Sequence, residues 1–195
     1  MIEVRRLSRD ELRARLDEVA GLRLAVFRDW PYLYDGDLDY ERAYLSVYLH
    51  APAAIVVGAL VEGQLVGAST GLPLEEASGD FSAPFADFPD GMSSVYYAGE
   101  SVMLPQYRGA GVGRRFFELR EAQARAIGRR YMAFCAVERP ADHPLRPASH
   151  RGNEAFWRRL GYAPVPDRVA EFEWRDLGAA VETVHRLPFW MRSLD

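Results

Sequence analysis

The sequence has no lysine: all 24 of its basic side chains are arginine. That excludes a Walker-type phosphate loop, which needs Gly-Lys followed by Ser or Thr. Cysteine is nearly absent too. Cys135 stands alone, so no internal disulfide can form. No apolar run approaches the roughly 18 residues that a membrane-spanning helix needs. The opening Met1-Ile2-Glu3-Val4-Arg5-Arg6-Leu7 lacks the apolar core of a secretion signal and reads as a strand. These absences lead us to expect a cytoplasmic protein with no membrane partner. A formal charge of −4 gives no basic surplus, which argues against nucleic acid as a partner. No spaced set of ligands suggests a metal, although Asp142 and His143 adjoin one another.

The chain has 195 residues, 49% of them hydrophobic, which suits one domain over residues 1–195. No internal repeat or low-complexity linker divides it. Ser8-Arg9-Asp10-Glu11 has the S-x-x-E form of a capping box, followed by Leu12, Leu16 and Val19 at helical spacing. A second helix is expected over Tyr40 to Tyr48, with Tyr40, Tyr44 and Val47 on one face. Ala54 to Val61 reads as a buried strand. Glu62-Gly63 turns it into a hairpin with Gln64 to Thr70. Residues 75–94 are irregular, and a loop of that length is often functional or mobile. Val95 to Leu104, Gly111 to Ile127 and Arg130 to Val137 form a strand-helix-strand unit. Val112, Phe116, Leu119, Ala122 and Ala126 are expected on the buried face of its helix. A helix over about Gly152 to Leu160 follows, then strands near Val169 to Arg175 and Thr183 to Met191. Pro188 suggests an edge position or a bulge. The order β-α-α-β-β-β-α-β-α-β-β implies a mixed α/β (α+β) sheet with helices packed on it.

The most informative stretch is Leu104-Pro105-Gln106-Tyr107-Arg108-Gly109-Ala110-Gly111-Val112-Gly113-Arg114, where a strand becomes a helix. Glycines admit close backbone approach to a ligand. The free N–H groups of a helix start, with its dipole, favour an anion. Arg108 and Arg114 add charge-assisted donors. The dinucleotide fingerprint fails, because its third glycine would fall on Arg114. A turn that merely packs strand against helix is the simpler alternative.

The spacing of Arg108, Gly111 and Gly113 resembles the pyrophosphate-binding R-x-x-G-x-G of the GNAT superfamily of N-acetyltransferases. Phe156-Trp157-Arg158-Arg159-Leu160-Gly161-Tyr162 is similar to that family's later aromatic pair and Gly-aromatic ending. The resemblance implies a central mixed, mostly antiparallel twisted sheet with splayed central strands and helices on both faces. It implies acetyl-CoA as co-substrate, its pyrophosphate held over Arg108, Gly109, Ala110, Gly111, Val112, Gly113 and Arg114. Its pantetheine would enter between Val95–Leu104 and Arg130–Val137, pairing with the backbone of Met103 and Leu104.

The implied reaction is direct attack of an amine on an acyl thioester. An amine of pKa about 10 needs to lose a proton first. Glu100, a carboxylate in an apolar strand, is the candidate base, and burial would raise its pKa toward a working range. The alternatives are that Glu100 faces solvent or pairs with an arginine. The family's tyrosine acid falls on Trp157, which cannot serve. Tyr97 or Tyr162 could substitute, or the thiolate could leave unaided. The family's Asn-x-x-Ala spacing before the aromatic pair is not kept either: His150 and Asn153 stand there. The long 138–150 segment would shape acceptor specificity or simply be solvated. Cys135 invites an acyl-cysteine intermediate, with burial in the strand the simpler reading. Trp30, Tyr32 and Tyr34, beside Asp35, Asp37 and Asp39, suit a cationic small-molecule acceptor. A non-catalytic acyl-CoA-binding sensor remains the rival reading. A peptide N-terminal acetyltransferase would need an open groove, which the long 75–94 and 138–150 segments argue against. An exposed strand edge near Pro188 leaves a homodimer open.

Overall fold

In the computed structural model, which describes residues 1–195, Ser8 caps the first helix as its pattern requires. The Glu11 amide donates to Ser8 Oγ at 3.1 Å, and the Ser8 amide donates to Glu11 Oε2 at 2.8 Å. The helical run breaks at Arg15 into α1 (Arg9–Ala14) and α2 (Leu16–Phe27). Asp37 caps α3 (Leu38–His50), its carboxylate accepting from the amides of Asp39 and Tyr40. Short turns and α4 (Gly79–Ser82) fill the 75–94 segment, then come α5 (Val112–Ala126) and α6 (Glu154–Arg159).

Eight strands form the sheet: β1 (Glu3–Arg6), β2 (Ile55–Val61), β3 (Gln64–Pro73), β4 (Val95–Tyr97), β5 (Ser101–Met103), β6 (Tyr131–Cys135), β7 (Ala163–Trp174) and β8 (Thr183–Ser193). Their order is β1-β2-β3-β4-β6-β8-β7, with β5 continuing beside β3. Only β4 and β6 run parallel; every other pair is antiparallel. Alternation along the strands builds a core on each face. One packs Val56, Leu72, Tyr97 and Phe189 with residues of α2 and α3. The other packs Val57, Tyr96, Met132 and Phe134 with α5.

Three expectations need correction. The buried face of α3 carries Glu41, Leu45 and Tyr48, one position on from the expected stripe, and Tyr40 is 53% exposed. The buried face of α5 includes Arg120 and Glu121, whereas Ala122 and Ala126 are exposed. In both helices a charged residue occupies a core position, which pattern reading assigns to solvent. Thirdly, Pro188 does not mark an edge. β8 lies between β6 and β7, and Pro188 pairs with Val169 where the β7 register breaks. The irregularity in the partner strand accommodates the missing N–H. The free edges are β1 and β7. The 75–94 segment is also more ordered than its composition suggests. Phe81 packs 4.6 Å from Tyr97 and 4.5 Å from Phe172, and Phe85 lies against Phe189.

Candidate active site

The single strand expected over Val95 to Leu104 is broken in its middle. Tyr97 pairs with Leu72, but Ser101 pairs with Ser69, so β4–β5 holds one residue more than β3 across this stretch. That is a β-bulge, with its extra residue around Gly99 and Glu100. The amides of both donate to Thr70, to its carbonyl at 3.1 Å and its hydroxyl at 3.3 Å. Gly99 is required here by close approach. A Cβ would come within 2.5 Å of both Thr70 Oγ1 and Tyr48 Oη.

The bulge coincides with a parting of strands. The last bond between β4 and β6 runs from the Ala98 amide to the Ala133 carbonyl at 2.8 Å. Beyond it β5 pairs with β3 alone, and the end of β6 pairs with β8 alone. By ladder alternation the backbone groups of Ser101 and Met103 face the gap, whereas those of Val102 and Leu104 face β3. The Leu104 amide is accordingly bonded to Val66. Of the two residues expected to meet pantetheine, Met103 turns its backbone toward the gap and Leu104 turns its own toward β3. The Met103 carbonyl accepts from Arg108 Nε at 3.0 Å.

At the end of that gap lies the glycine loop. Gly109 and Gly111 have φ of +83° and +80°, a region L side chains rarely adopt. A Cβ at either would meet nothing within 4 Å, so their outer side is open. Gly111 caps α5 with no side chain of its own, and Val112, Gly113 and Arg114 supply helix-start amides without intrahelical partners. Arg114 is exposed beside them. Open space, free donors and a helix dipole fit a pyrophosphate.

Glu100 is 6% exposed and does pair with an arginine. Arg23, from α2, places Nη1 2.7 Å from Glu100 Oε2, and its Nε bonds Glu41 of α3. Burial opposes the charge of Arg23, but Glu100, Tyr44 and Glu41 together outweigh it and hold the guanidinium well above its usual pKa. Tyr44 donates to Glu100 Oε2 at 3.2 Å, and its ring lies 4.2 Å under the Arg23 guanidinium. Burial, with Glu100 nearby, pushes the Tyr44 phenol well up. One oxygen of each acid, Glu100 Oε1 and Glu41 Oε1, is buried with no hydrogen-bond partner.

On the same face, the Tyr97 hydroxyl lies 3.5 Å from Cys135 Sγ. Burial raises Tyr97 well above the ordinary phenol range, and raises the Cys135 thiol to about 12. A thiol held protonated is a poor nucleophile, which weighs against an acyl-cysteine. Tyr162 lies elsewhere, donating to Glu121 at 2.9 Å in the α5 core. Trp157 packs 5.0 Å from Phe134 and 5.1 Å from Trp190.

The loop between α2 and α3 roofs this region. Tyr32 packs on Phe27 and Trp174. Its phenol is raised by burial and lies close enough to Cys135, Arg23 and Glu100 to feel each of them. Tyr34 is raised by burial and by Glu41 beside it. Trp30 sits apart, against His143 at 5.1 Å and His150 at 5.7 Å of the 138–150 segment. Arg139 bonds the carbonyls of Pro31 and Tyr32 and both oxygens of Asp176, which ties the roof to the end of β7. The expected acidic rim is already engaged. Asp35 pairs with Arg175, Asp37 caps α3, and Asp39 pairs with Arg42.

Sequence reading missed Arg23, Glu41, Tyr44, Tyr48 and Arg120. The signal available was a charge inside an apolar stripe. Arg23 stands four residues from both Val19 and Phe27, and Glu41 four before Leu45.

The acetyltransferase (GNAT) family model matches residues 20–162. No curated protein matches the chain. Among solved structures, the Salmonella typhimurium protein yncA, determined with acetyl-CoA, superposes with a TM-score of 0.59 at 15% identity, covering 100% of this chain and 94% of that one. An aminoglycoside 6'-N-acetyltransferase complexed with coenzyme A gives 0.60 at 15%, covering 99% and 97%. A ribosomal-protein-alanine N-acetyltransferase from Brucella melitensis gives 0.61 at 15%, covering 98% and 99%. Identities this low establish the shared fold, and the acceptors in these names differ widely. With the family model spanning most of its length, the chain belongs to the GNAT family of acetyltransferases.

Proposed function

We propose that residues 1–195 act as one unit that transfers an acetyl group from acetyl-CoA to a small-molecule amine, with Glu100 accepting the amine's proton. The observation that carries this reading is Glu100 Oε1, a buried carboxylate oxygen without a partner at the point where β4–β5 and β6 part. The open glycine loop at the end of the same gap supports the acyl donor.

The helix-start amides of Val112, Gly113 and Arg114, with the Arg114 guanidinium, would hold the pyrophosphate. The gap-facing backbone of Ser101 and Met103 would hold the pantetheine as a strand holds its neighbour. Bound there, acetyl-CoA supplies an activated thioester. An ammonium that reaches Glu100 must lose a proton, which costs roughly 4 kcal/mol at pH 7 for an amine of pKa about 10. Glu100 takes that proton, and positioned bases of this kind are worth about 10²–10⁴-fold. The nitrogen lone pair then forms the C–N bond as the C–S bond breaks, and the sulfur departs with the bonding electrons. The acylated nitrogen then sheds a second proton, which passes to that sulfur, and Glu100 returns the first to solvent, so ammonium plus thioester becomes amide, thiol and a released proton. Tyr97, kept protonated by burial, is the hydrogen-bond donor proposed for the leaving sulfur. A thiol's pKa of about 8.5 asks little more of the protein.

One feature favours a second reading, an acyl-CoA sensor without turnover. Trp157 stands where the family's acid would be and is packed between two aromatics. The test is thiol release from acetyl-CoA with a panel of primary amines, for the wild type and Glu100→Gln. Amine-dependent release that falls at least about a hundredfold in the variant supports transfer. Acetyl-CoA binding without release by any amine would support the sensor.

A further inference from the structure

Arg23 is shared between two acids, and the sharing is incomplete. Glu41 is 0% exposed and Glu100 6%, yet each spends one oxygen on the guanidinium and keeps the other bare. Buried polar atoms are almost always satisfied, and an exception calls for a ligand or a functional role. Two bare carboxylate oxygens around one cation carry a net charge of −1 and accept only. They cannot be satisfied by each other or by an anion. A group that satisfies both must donate hydrogen bonds, and a cationic donor would also offset the charge.

The approach to the pair has the same character. Tyr34 and Tyr40 are raised first by burial and then by Glu41 near them. Tyr40 is half exposed, and the carboxylates of Asp80 and Glu182 lie near enough to its phenol to raise it further. Asp80 belongs to α4 and Glu182 to the turn before β8, so segments distant in sequence both bring an acid toward Tyr40. Neither Asp80 nor Glu182 has an ion-pair partner, unlike Asp35 and Asp39 of the neighbouring loop. Acids thus surround the half-exposed Tyr40 as well as Arg23.

We infer that Glu41 is the binding subsite for a second ammonium group, and that the preferred acceptor is a short diamine. This rests on the acyl-transfer reading for Glu100. The amine to be acetylated meets Glu100 Oε1, and the distal ammonium takes Glu41 Oε1. Because each carboxylate is within one hydrogen bond of the same planar guanidinium, the two bare oxygens lie within about 10 Å. A chain of a few methylenes spans that. Arg23 then positions both acids, and the Tyr34 and Tyr44 rings flank the ligand. A monoamine would leave Glu41 unsatisfied and forgo one charge-assisted contact.

Two measurements test this, with n-butylamine and 1,4-diaminobutane as the probes. The first is calorimetric binding of each amine to protein saturated with CoA, which reads the subsite without turnover. The second is the ratio of kcat/KM for the two amines with acetyl-CoA. The inference expects the diamine to be favoured at least about tenfold in both, since charge-assisted bonds are the strong ones. Glu41→Gln should collapse that ratio toward one. Asp80→Asn with Glu182→Gln, surface changes that leave the core intact, should lower it a few fold and weaken its salt dependence. Equal binding of the two amines overturns the subsite. So does a Glu41→Gln variant that loses both activities equally, which marks a structural acid only. Diamine preference in binding with no thiol release keeps the subsite and overturns the transfer reading alone.

Discussion

Two arginines are buried in this protein, on opposite faces of the same bulge, and they are partnered differently. Arg120, 1% exposed, donates to backbone carbonyls only: Phe116 at 3.3 Å, Thr70 at 3.3 Å and Glu100 at 3.2 Å. Burial lowers its pKa, opposed in part by Tyr162 and Glu100. Arg23 lies between two carboxylates that hold its pKa up. Arg120 braces the backbone that carries Glu100, whereas Arg23 fixes the Glu100 side chain. The same residue type thus holds the backbone of the bulge on one face and the Glu100 side chain on the other. Arg120 keeps one of its own nitrogens, Nη2, unpaired among those carbonyls, whereas around Arg23 it is the acids that each keep an oxygen bare.

The largest expected effect comes from breaking that contrast at Arg23. Arg23→Met would leave two buried carboxylates without their cation, a loss of about 3–5 kcal/mol in urea unfolding at neutral pH. Arg120→Met should cost less, about 1–3 kcal/mol. The carbonyls of Thr70 and Glu100 keep their ladder partners, the amides of Gly99 and Thr70. Equal losses at the two sites would erase the distinction. Next in size, Gly99→Ala would push a methyl group to within 2.5 Å of Thr70 Oγ1 and Tyr48 Oη. We expect kcat to fall at least about tenfold, since misplacements of this order are costly in positioned sites. An unchanged kcat would mean that the bulge tolerates a shift.

Gly111→Val sharpens a different comparison, between the gap and the glycine loop. It should cost about 1–3 kcal/mol of backbone strain at φ +80°. It should also weaken acetyl-CoA binding, read by calorimetry, while the Glu100 network stays as it is. The smallest effect concerns Cys135. With its thiol pushed up to about 12, it stays protonated at pH 8.5, where an exposed thiol is about half ionised. Maleimide labelling of the native protein should be slow at that pH and become fast in urea. Rapid native labelling would reopen the acyl-cysteine route.

The glycine loop was legible because its chemistry is local. Positive φ at Gly109 and Gly111 and the start of α5 are written in consecutive residues. The S-x-x-E cap and the Glu62-Gly63 hairpin were legible for the same reason. Glu100 could be singled out as a carboxylate in an apolar strand, but its partners could not. Arg23 and Glu41 lie 77 and 59 positions upstream, on helices whose apolar stripes are each interrupted by a charge. Pattern reading turns such charges outward, and so it misplaced the inner faces of α3 and α5. The bulge was hidden as well, since one unpaired residue near Gly99 leaves no periodicity to read.

Glu100 is the proposed base, and one paired measurement decides whether it acts as one. Acetyl-CoA affinity and amine-dependent thiol release should be measured on the same preparations of wild type and Glu100→Gln. The account predicts equal affinity, because the glycine loop is untouched, and turnover at least about a hundredfold lower in the variant. Equal turnover in the two proteins would contradict it and remove Glu100 from the chemistry.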